Sequence, residues 1–472
     1  MCIRDRYLLG LLLFITFCLG VDLHAQADYV IIDDIILDGN KRTKDGIILR
    51  ELDLFAGDTL YYADTSQWRL ENEKRILSTG LFTNVAVELG EHQADNRRDV
   101  VIDIQENWYI YPNFIFDLAD RNFSVWWNEQ NRSLDRVNYG FRLNHINLTG
   151  NRDNLRLTTQ FGFTKKFELD YSYPYLDKQQ KLGIATNVTF TENREIGFET
   201  IGNKTVFHRE GDERILLRRF RSSIALNYRQ DLFQYHSFKV EYHRNGIDDF
   251  VATELNQDYF LNGEDAIRFF TLDYDYSIDK RIFSFYPEGG FLFGVNTKKE
   301  GLGIFGEYDN LFVELRGEYY TQPVKNLIFA NQLKLKTNIN RRQVAFANNT
   351  GLGYNGNVVS GYELYVVDGT DFLLNKSSIR WKAIDNIVNL NKLMPLQQFK
   401  LMDFKLYLTF NFDVGYVNEP TYVESNFLNN QWLVGFGPGI DMLLFNTHLF
   451  SFEYSFNELG ESGLFLSNRV SF

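Results

Sequence analysis

The chain is poor in the residues that staple or punctuate a soluble domain. Its 472 residues hold two cysteines, Cys2 and Cys18, both within the first 20 positions, so the rest has no thiol and no disulfide framework. Seven histidines are present, and His145, His208, His236 and His243 show no metal-ligand spacing. A Gly-x-Ser-x-Gly nucleophile turn is also missing, so no catalytic residue, no metal site and no cofactor is expected, and the protein is not read as an enzyme. Basic residues are outnumbered, 49 against 62, giving a net charge of -13; nucleic acid, which needs a basic face, is excluded as a partner. Beyond the N-terminal segment no apolar run reaches the length of a membrane-crossing helix.

What is abundant is aromatic: 42 Phe and 27 Tyr against 7 Pro and 4 Met. Aromatics favour strands and gather at membrane interfaces. A mean hydropathy of -0.29 excludes a helical membrane protein but suits a barrel, whose strands alternate lipid-facing with lumen-facing residues. Residues 1–25 read as a secretory signal peptide, with Arg4 and Arg6 before the apolar run Tyr7 to Val21 and a cleavage site after Ala25.

Residues 28–107 differ in pattern from the remainder of the chain. Val30 to Leu37 reads as a strand ended by Asp38-Gly39-Asn40, Asp45 to Leu52 as a short helix, and Asp64 as the cap of a second helix stopped by Gly80. Two more strands cover Phe82 to Leu89 and Val100 to Ile104, although the step from Phe82 to Val85 breaks strict alternation. This order, with Gly39-Asn40…Thr43, Gly57-Asp58 and Thr79-Gly-Leu-Phe-Thr-Asn-Val85, resembles the POTRA domain. The resemblance implies that the edge strand carrying Phe82, Val85 and Val87 can accept an extended client as an added strand. A plain spacer domain is the other reading.

From 108 to 472 strands alternate. Phe404, Leu406, Leu408, Phe410, Phe412, Val414 and Tyr416 take one face, while Lys405, Tyr407, Thr409, Asn411 and Asp413 take the other. Such segments number roughly sixteen, from near Trp108 through Gly303 and Asn375 to near Gly463. The fold class is therefore mainly β: a 16-stranded transmembrane β-barrel behind one small α+β domain of β-α-α-β-β order. A long loop, 342–374, falls between the eleventh and twelfth strands, and the segment Asn355 to Gly369 within it is rich in Gly and Tyr. The chain ends on an alternating strand with Leu466, Val470 and Phe472.

One POTRA-like domain, about sixteen strands and this loop together resemble the BamA/TamA superfamily of outer-membrane assembly and secretion barrels, the bacterial surface antigen family. Where that family's loop carries Val-Arg-Gly-Phe/Tyr, this chain has Val359-Ser360-Gly361-Tyr362, and then Glu363. The family's wall motif is matched by Phe410-Asn-Phe-Asp413-Val-Gly415, and two turns, Asn147 to Gly150 and Tyr171 to Pro174, match more weakly. The resemblance implies that the loop folds into the barrel and pairs with lumenal acids. With Ser360 in place of the arginine, Asp413 needs another cation. Ile379 and Trp381 point outward on the twelfth strand, sending Ser378, Arg380 and Lys382 inward, so Arg380 is the expected partner.

The resemblance also makes the seam between the first and last strands a mechanistic site, marked here by Pro112, Phe114, Leu466 and Phe472. It implies an outer-membrane location with the POTRA domain in the periplasm. The implied partners are the lipid bilayer, unfolded outer-membrane or secreted polypeptide clients, and periplasmic or lipoprotein accessory proteins. Three functions compete: an assembly and insertion factor, a secretion pore with the loop as plug, and a passive diffusion barrel. A peptide-binding module ahead of the barrel disfavours the last.

Overall fold

The computed structural model describes residues 29–91, 94–120, 123–177, 179–211, 214–306, 308–391, 394, 400–420 and 425–470. The expected signal peptide and Phe472 lie outside the described residues.

The N-terminal domain runs β1 (Tyr29–Asp38), α1 (Asp45–Leu49), β2 (Thr59–Tyr61), α2 (Thr65–Leu77), β3 (Phe82–Leu89) and β4 (Arg97–Glu106). Its sheet has the order β2-β1-β4-β3, with β1 and β4 parallel, so β3 is an edge. Ile32, Ile47, Ile48, Trp68, Ile76, Val87 and Ile102 close a core between helices and sheet. β2 has too few residues to show an alternation and is not legible in the sequence. The expected cap at Asp64 does not form: a 3-10 turn over Tyr62–Asp64 gives Asp64 helical angles, and its side chain makes no capping bond. The broken alternation after Phe82 is a register shift between Phe82 and Asn84, a bulge on the edge strand.

Behind this domain, sixteen antiparallel strands form one sheet from Ile110–Leu118 to Ser462–Val470. Outward residues are apolar and bare, among them Phe238, Phe293, Tyr319, Trp381, Phe410 and Phe452, whereas inward ones such as Thr271, Thr409, Asp413 and Ser455 are polar and buried. That is the surface of a barrel set in hydrocarbon around a polar bore. The tenth strand starts at Asn310 rather than near Gly303, because Gly301 and Gly303 take left-handed angles and turn the chain. The twelfth strand (Asp371–Asn389) starts inside the segment expected to be loop, so the connection between strands spans 339–370. Phe372 and Leu374 there face inward and pack under the loop, which inverts the apolar alternation that marks a strand elsewhere.

Beyond the barrel sheet, the mouth far from the POTRA-like domain carries a hairpin (Glu195–Ile201 and Lys204–Arg209) and a short helix, α3 (Phe123–Asn128).

Candidate functional site

The loop lies inside the barrel. Leu352, Val359, Tyr362, Tyr365 and Val367 pack with Phe372 and Leu374 of the twelfth strand, Val417 of the thirteenth (Leu401–Asn418) and Leu433 of the fourteenth (Trp432–Leu444). Two wall glycines make room for it. A Cβ on Gly435 would stand 1.6 Å from the Ser360 carbonyl oxygen, and one on Gly415 would meet Val359 at 2.6 Å. Gly361 has a φ of +82°, and its carbonyl accepts from Asn457 Nδ2 at 2.8 Å. Only a residue without Cβ takes that angle cheaply while lying against the wall.

The motif serine anchors the loop. Asp413 is 1% exposed, and its Oδ2 accepts from the Ser360 amide at 3.1 Å and the Ser360 hydroxyl at 2.8 Å. The cation is Lys376, whose Nζ lies 2.8 Å from the same oxygen and also donates to the Val358 carbonyl at 2.7 Å. The expected pairing with Arg380 is therefore wrong. Lys376 stands directly across the ladder from Asp413, while Arg380 lies four residues further down the strand, opposite Thr409. Arg380 Nε donates to Ser378 Oγ at 2.9 Å instead.

What Arg380 holds is a second inward-folded segment that the sequence pattern does not announce. The turn after the eighth strand (Ala266–Asp279), at the mouth near the POTRA-like domain, dips into the bore. Tyr286, 2% exposed, donates to Asp441 at 2.6 Å and packs on Tyr407, with the Arg380 guanidinium 4.4 Å above its ring. Glu288 accepts from Tyr407 at 2.7 Å and pairs with Lys382 at 2.6 Å. Arg469 of the last strand donates to the Phe285 carbonyl at 3.3 Å, tying this turn to the seam. The only sequence signal is a cluster of three aromatics, Phe283, Phe285 and Tyr286, where a polar turn belongs.

At the far mouth the hairpin tip binds the loop down. Asn203 is fully buried; its carbonyl accepts from the Val366 amide at 2.8 Å, and its side chain donates to the Val366 carbonyl at 3.1 Å. The Asn426 carboxamide accepts from the Asn203 amide at 2.8 Å. Both ends of the bore are thus occupied by the chain's own segments.

Among the described residues no hydrogen-bond ladder joins the first strand to the last. The first pairs only with Val137–Ile146 and the last only with His448–Asn457. Pro112, Phe114 and Phe116 face outward on one side of this seam, with Phe114 88% exposed, and Leu464 and Leu466 face outward on the other. α3, built from Phe123, Val125, Trp126 and Trp127, rests against the last strand.

Of the POTRA-like edge residues, Phe82, Val85 and Val87 turn their side chains into the domain core, leaving backbone on the outer side of β3. The same domain is docked on the barrel turns. Arg42 donates to the carbonyls of Asn147 at 3.1 Å and Leu148 at 2.7 Å, the Lys44 amide to Gly150 at 3.0 Å, and Asn147 to Thr43 at 2.9 Å. Gly150 is held at a φ of +84°, with Arg42 O 2.4 Å from where a Cβ would be. The Asn147 to Gly150 turn is thus the socket of the domain. Glu51, 4% exposed, clasps Arg229 at 2.7 and 3.1 Å. Burial alone would raise the Glu51 pKa, but the Arg229 bonds and the charges of Arg229, Arg152 and Arg50 outweigh it and hold the carboxyl below its usual range.

Residues 30–107 match the family model for POTRA, described as a surface antigen variable number repeat. The whole chain is similar in fold to BamA from Haemophilus ducreyi lacking POTRA domains 1-3, at 13% identity and TM-score 0.52, over 94% of this chain and 85% of that one. It is similar also to CdiB from Escherichia coli, at 10% identity and TM-score 0.57, over 94% and 76% of the two chains. CdiB from Acinetobacter baumannii gives 11% identity and TM-score 0.50, over 94% and 74%. No curated protein sequence matches the chain. At such identities the shared property is the fold.

Proposed function

We propose that this chain, in which a POTRA-family segment (residues 30–107) precedes a sixteen-stranded barrel, is an outer-membrane barrel of the BamA/TamA type with that segment on the periplasmic side, and that it assembles client polypeptides into or across the outer membrane. In the reading we favour, an unfolded client adds to the β3 edge of the POTRA domain, with Phe82, Val85 and Val87 fixing that strand from behind. It then pairs as a strand at the seam marked by Pro112, Phe114 and Leu466.

The observation that carries this reading is the seam. Among the described residues every neighbouring pair of barrel strands is laddered except the first and last, whose outward residues include Phe114 and Leu466. An unpaired backbone group in hydrocarbon costs several kcal/mol. A client strand that completes the ladder removes that cost for itself and for the barrel, which gives the insertion its direction. Pro112, lacking an N–H, weakens any permanent closure on its side.

A secretion pore is the second reading, favoured by the loop in the bore. With Ser360 bound to Asp413, Val359 seated against Gly415, Tyr362 buried and Glu363 half-buried beside them, the loop is a plug that a translocating chain would displace. Depleting the protein and taking an inventory of the outer membrane separates the two. Broad loss of barrels supports assembly, and loss of one secreted product supports secretion. An unchanged inventory and secretome would refute both.

A further inference from the structure

The outer edge of β3 is not bare. Two side chains of α2 reach around it at Val87: the Glu73 carboxylate accepts from the Val87 amide at 2.9 Å, and Arg69 Nε donates to the Val87 carbonyl. In an antiparallel ladder a residue that faces away from its one partner strand presents both its N–H and its C=O to whatever lies beyond. Val87 is such a residue, and by alternation so are Val85 and Leu89. Arg69 and Glu73, one turn apart on the helix, supply the donor and acceptor that one residue of an incoming strand would supply.

We propose that Arg69 and Glu73 form an internal stand-in for the client strand, so that a polypeptide joins the β3 edge only by displacing them from Val87. This rests on the reading of β3 as the client-binding edge and adds a competitor to it. Without displacement, capped Val87 splits the edge between Val85 and Leu89 and leaves a client too few consecutive ladder bonds to hold. The occupant is an extended segment with apolar residues at alternate positions. Leu70 and Leu77, exposed on α2 three residues before and four after Glu73 and so on its face of the helix, offer apolar surface to such a segment. A segment without that alternation would give up the bonds of the cap without covering this surface. The cap thus sets a threshold that selects barrel-type strands over arbitrary unfolded chain, and it masks an exposed edge that would otherwise pair with another copy.

The test uses the full chain in lipid nanodiscs and a labelled peptide of its own last segment, residues 462–472, monitored by fluorescence anisotropy. The Arg69→Ala/Glu73→Ala double variant should bind this peptide about tenfold more tightly than the unaltered protein, because two bonds no longer have to be broken first. Glu73→Gln, which keeps an acceptor, should fall between them. Hydrogen exchange at the Val87 amide provides the second readout: protected in the unaltered protein, fast in the double variant, protected again with peptide. Equal affinities, or weaker binding by the variant, would overturn the cap while leaving β3 as the client edge. Absence of binding to either protein, with Val87 exchange unaffected by peptide, would overturn the edge reading itself.

Discussion

Lys376 and Asp413 face each other across one rung of the barrel ladder, Nζ to Oδ2 at 2.8 Å, and the loop serine binds the same oxygen. The cation at this anchor comes from the wall, and Ser360 of the loop supplies only hydrogen-bond donors.

Removing that cation should leave Asp413 buried and unpaired. Lys376→Met is expected to weaken loop seating by about 3 kcal/mol or more, seen as larger and noisier single-channel conductance in planar bilayers. Arg380→Ala should not move the Ser360 anchor. The double change Lys376→Met/Asp413→Asn should recover much of the closed state, because no lone charge remains.

A methyl group at Gly435 would collide with the Ser360 carbonyl, 1.6 Å from the added carbon. Gly435→Ala should therefore unseat the loop with the barrel still folded, read as heat-resistant migration of folded barrel together with raised conductance. Gly317→Ala, on a wall stretch with nothing within 4 Å, is the matched control and should behave as the unaltered protein.

The second plug depends on Tyr286. Truncation to Ala loses its bond to Asp441 and its packing on Tyr407, worth roughly 3–5 kcal/mol for a buried aromatic. Conductance should rise, and the double variant with Gly435→Ala should exceed the sum of the single rises, because segments entering from opposite mouths obstruct the bore in series. Equal conductance in single and double variants would mean that one plug alone closes the bore.

Described strands carry no native cysteine, so a disulfide across the seam can be placed cleanly. Phe114→Cys/Leu466→Cys, once oxidised, should stop client insertion in reconstituted vesicles, and reductant should restore it. Insertion that proceeds unchanged through the locked barrel would remove the seam from the mechanism.

Two glutamates outside the strands should respond to pH in opposite directions. Glu51 has a lowered pKa in the docked state, so its contribution is full above the ordinary carboxylate range and is lost as pH falls through the docked value. Mobility of the POTRA domain should therefore increase in acid, and Glu51→Gln should show that mobility at neutral pH. Glu363 in the loop is pushed up to about 8, by burial first and then by the Glu453 carboxylate. The seated loop thus keeps a proton that a free loop gives up. Seating is strongest in acid and weakens as pH rises through about 8, and Glu363→Gln should flatten that dependence.

Alternation along strands such as Phe404 to Tyr416 was enough to show a barrel, because a wall with lipid outside and water inside must change character at every residue. A long connection between the eleventh and twelfth strands is likewise expected, and in the structure residues 339–370 join that pair. Partner choice across the wall was beyond reach of the sequence. Lys376 and Arg380 are both inward cations on one strand, and only the ladder register between the twelfth and thirteenth strands sets Lys376 opposite Asp413. Period-two patterning says which way a side chain points and nothing about its neighbour's height. The same holds for the Glu73 and Arg69 cap on Val87 and for Tyr286 inside the bore, contacts made by side chains 14, 18 and 155 positions from their partners. Packing alone brings such groups within bonding distance.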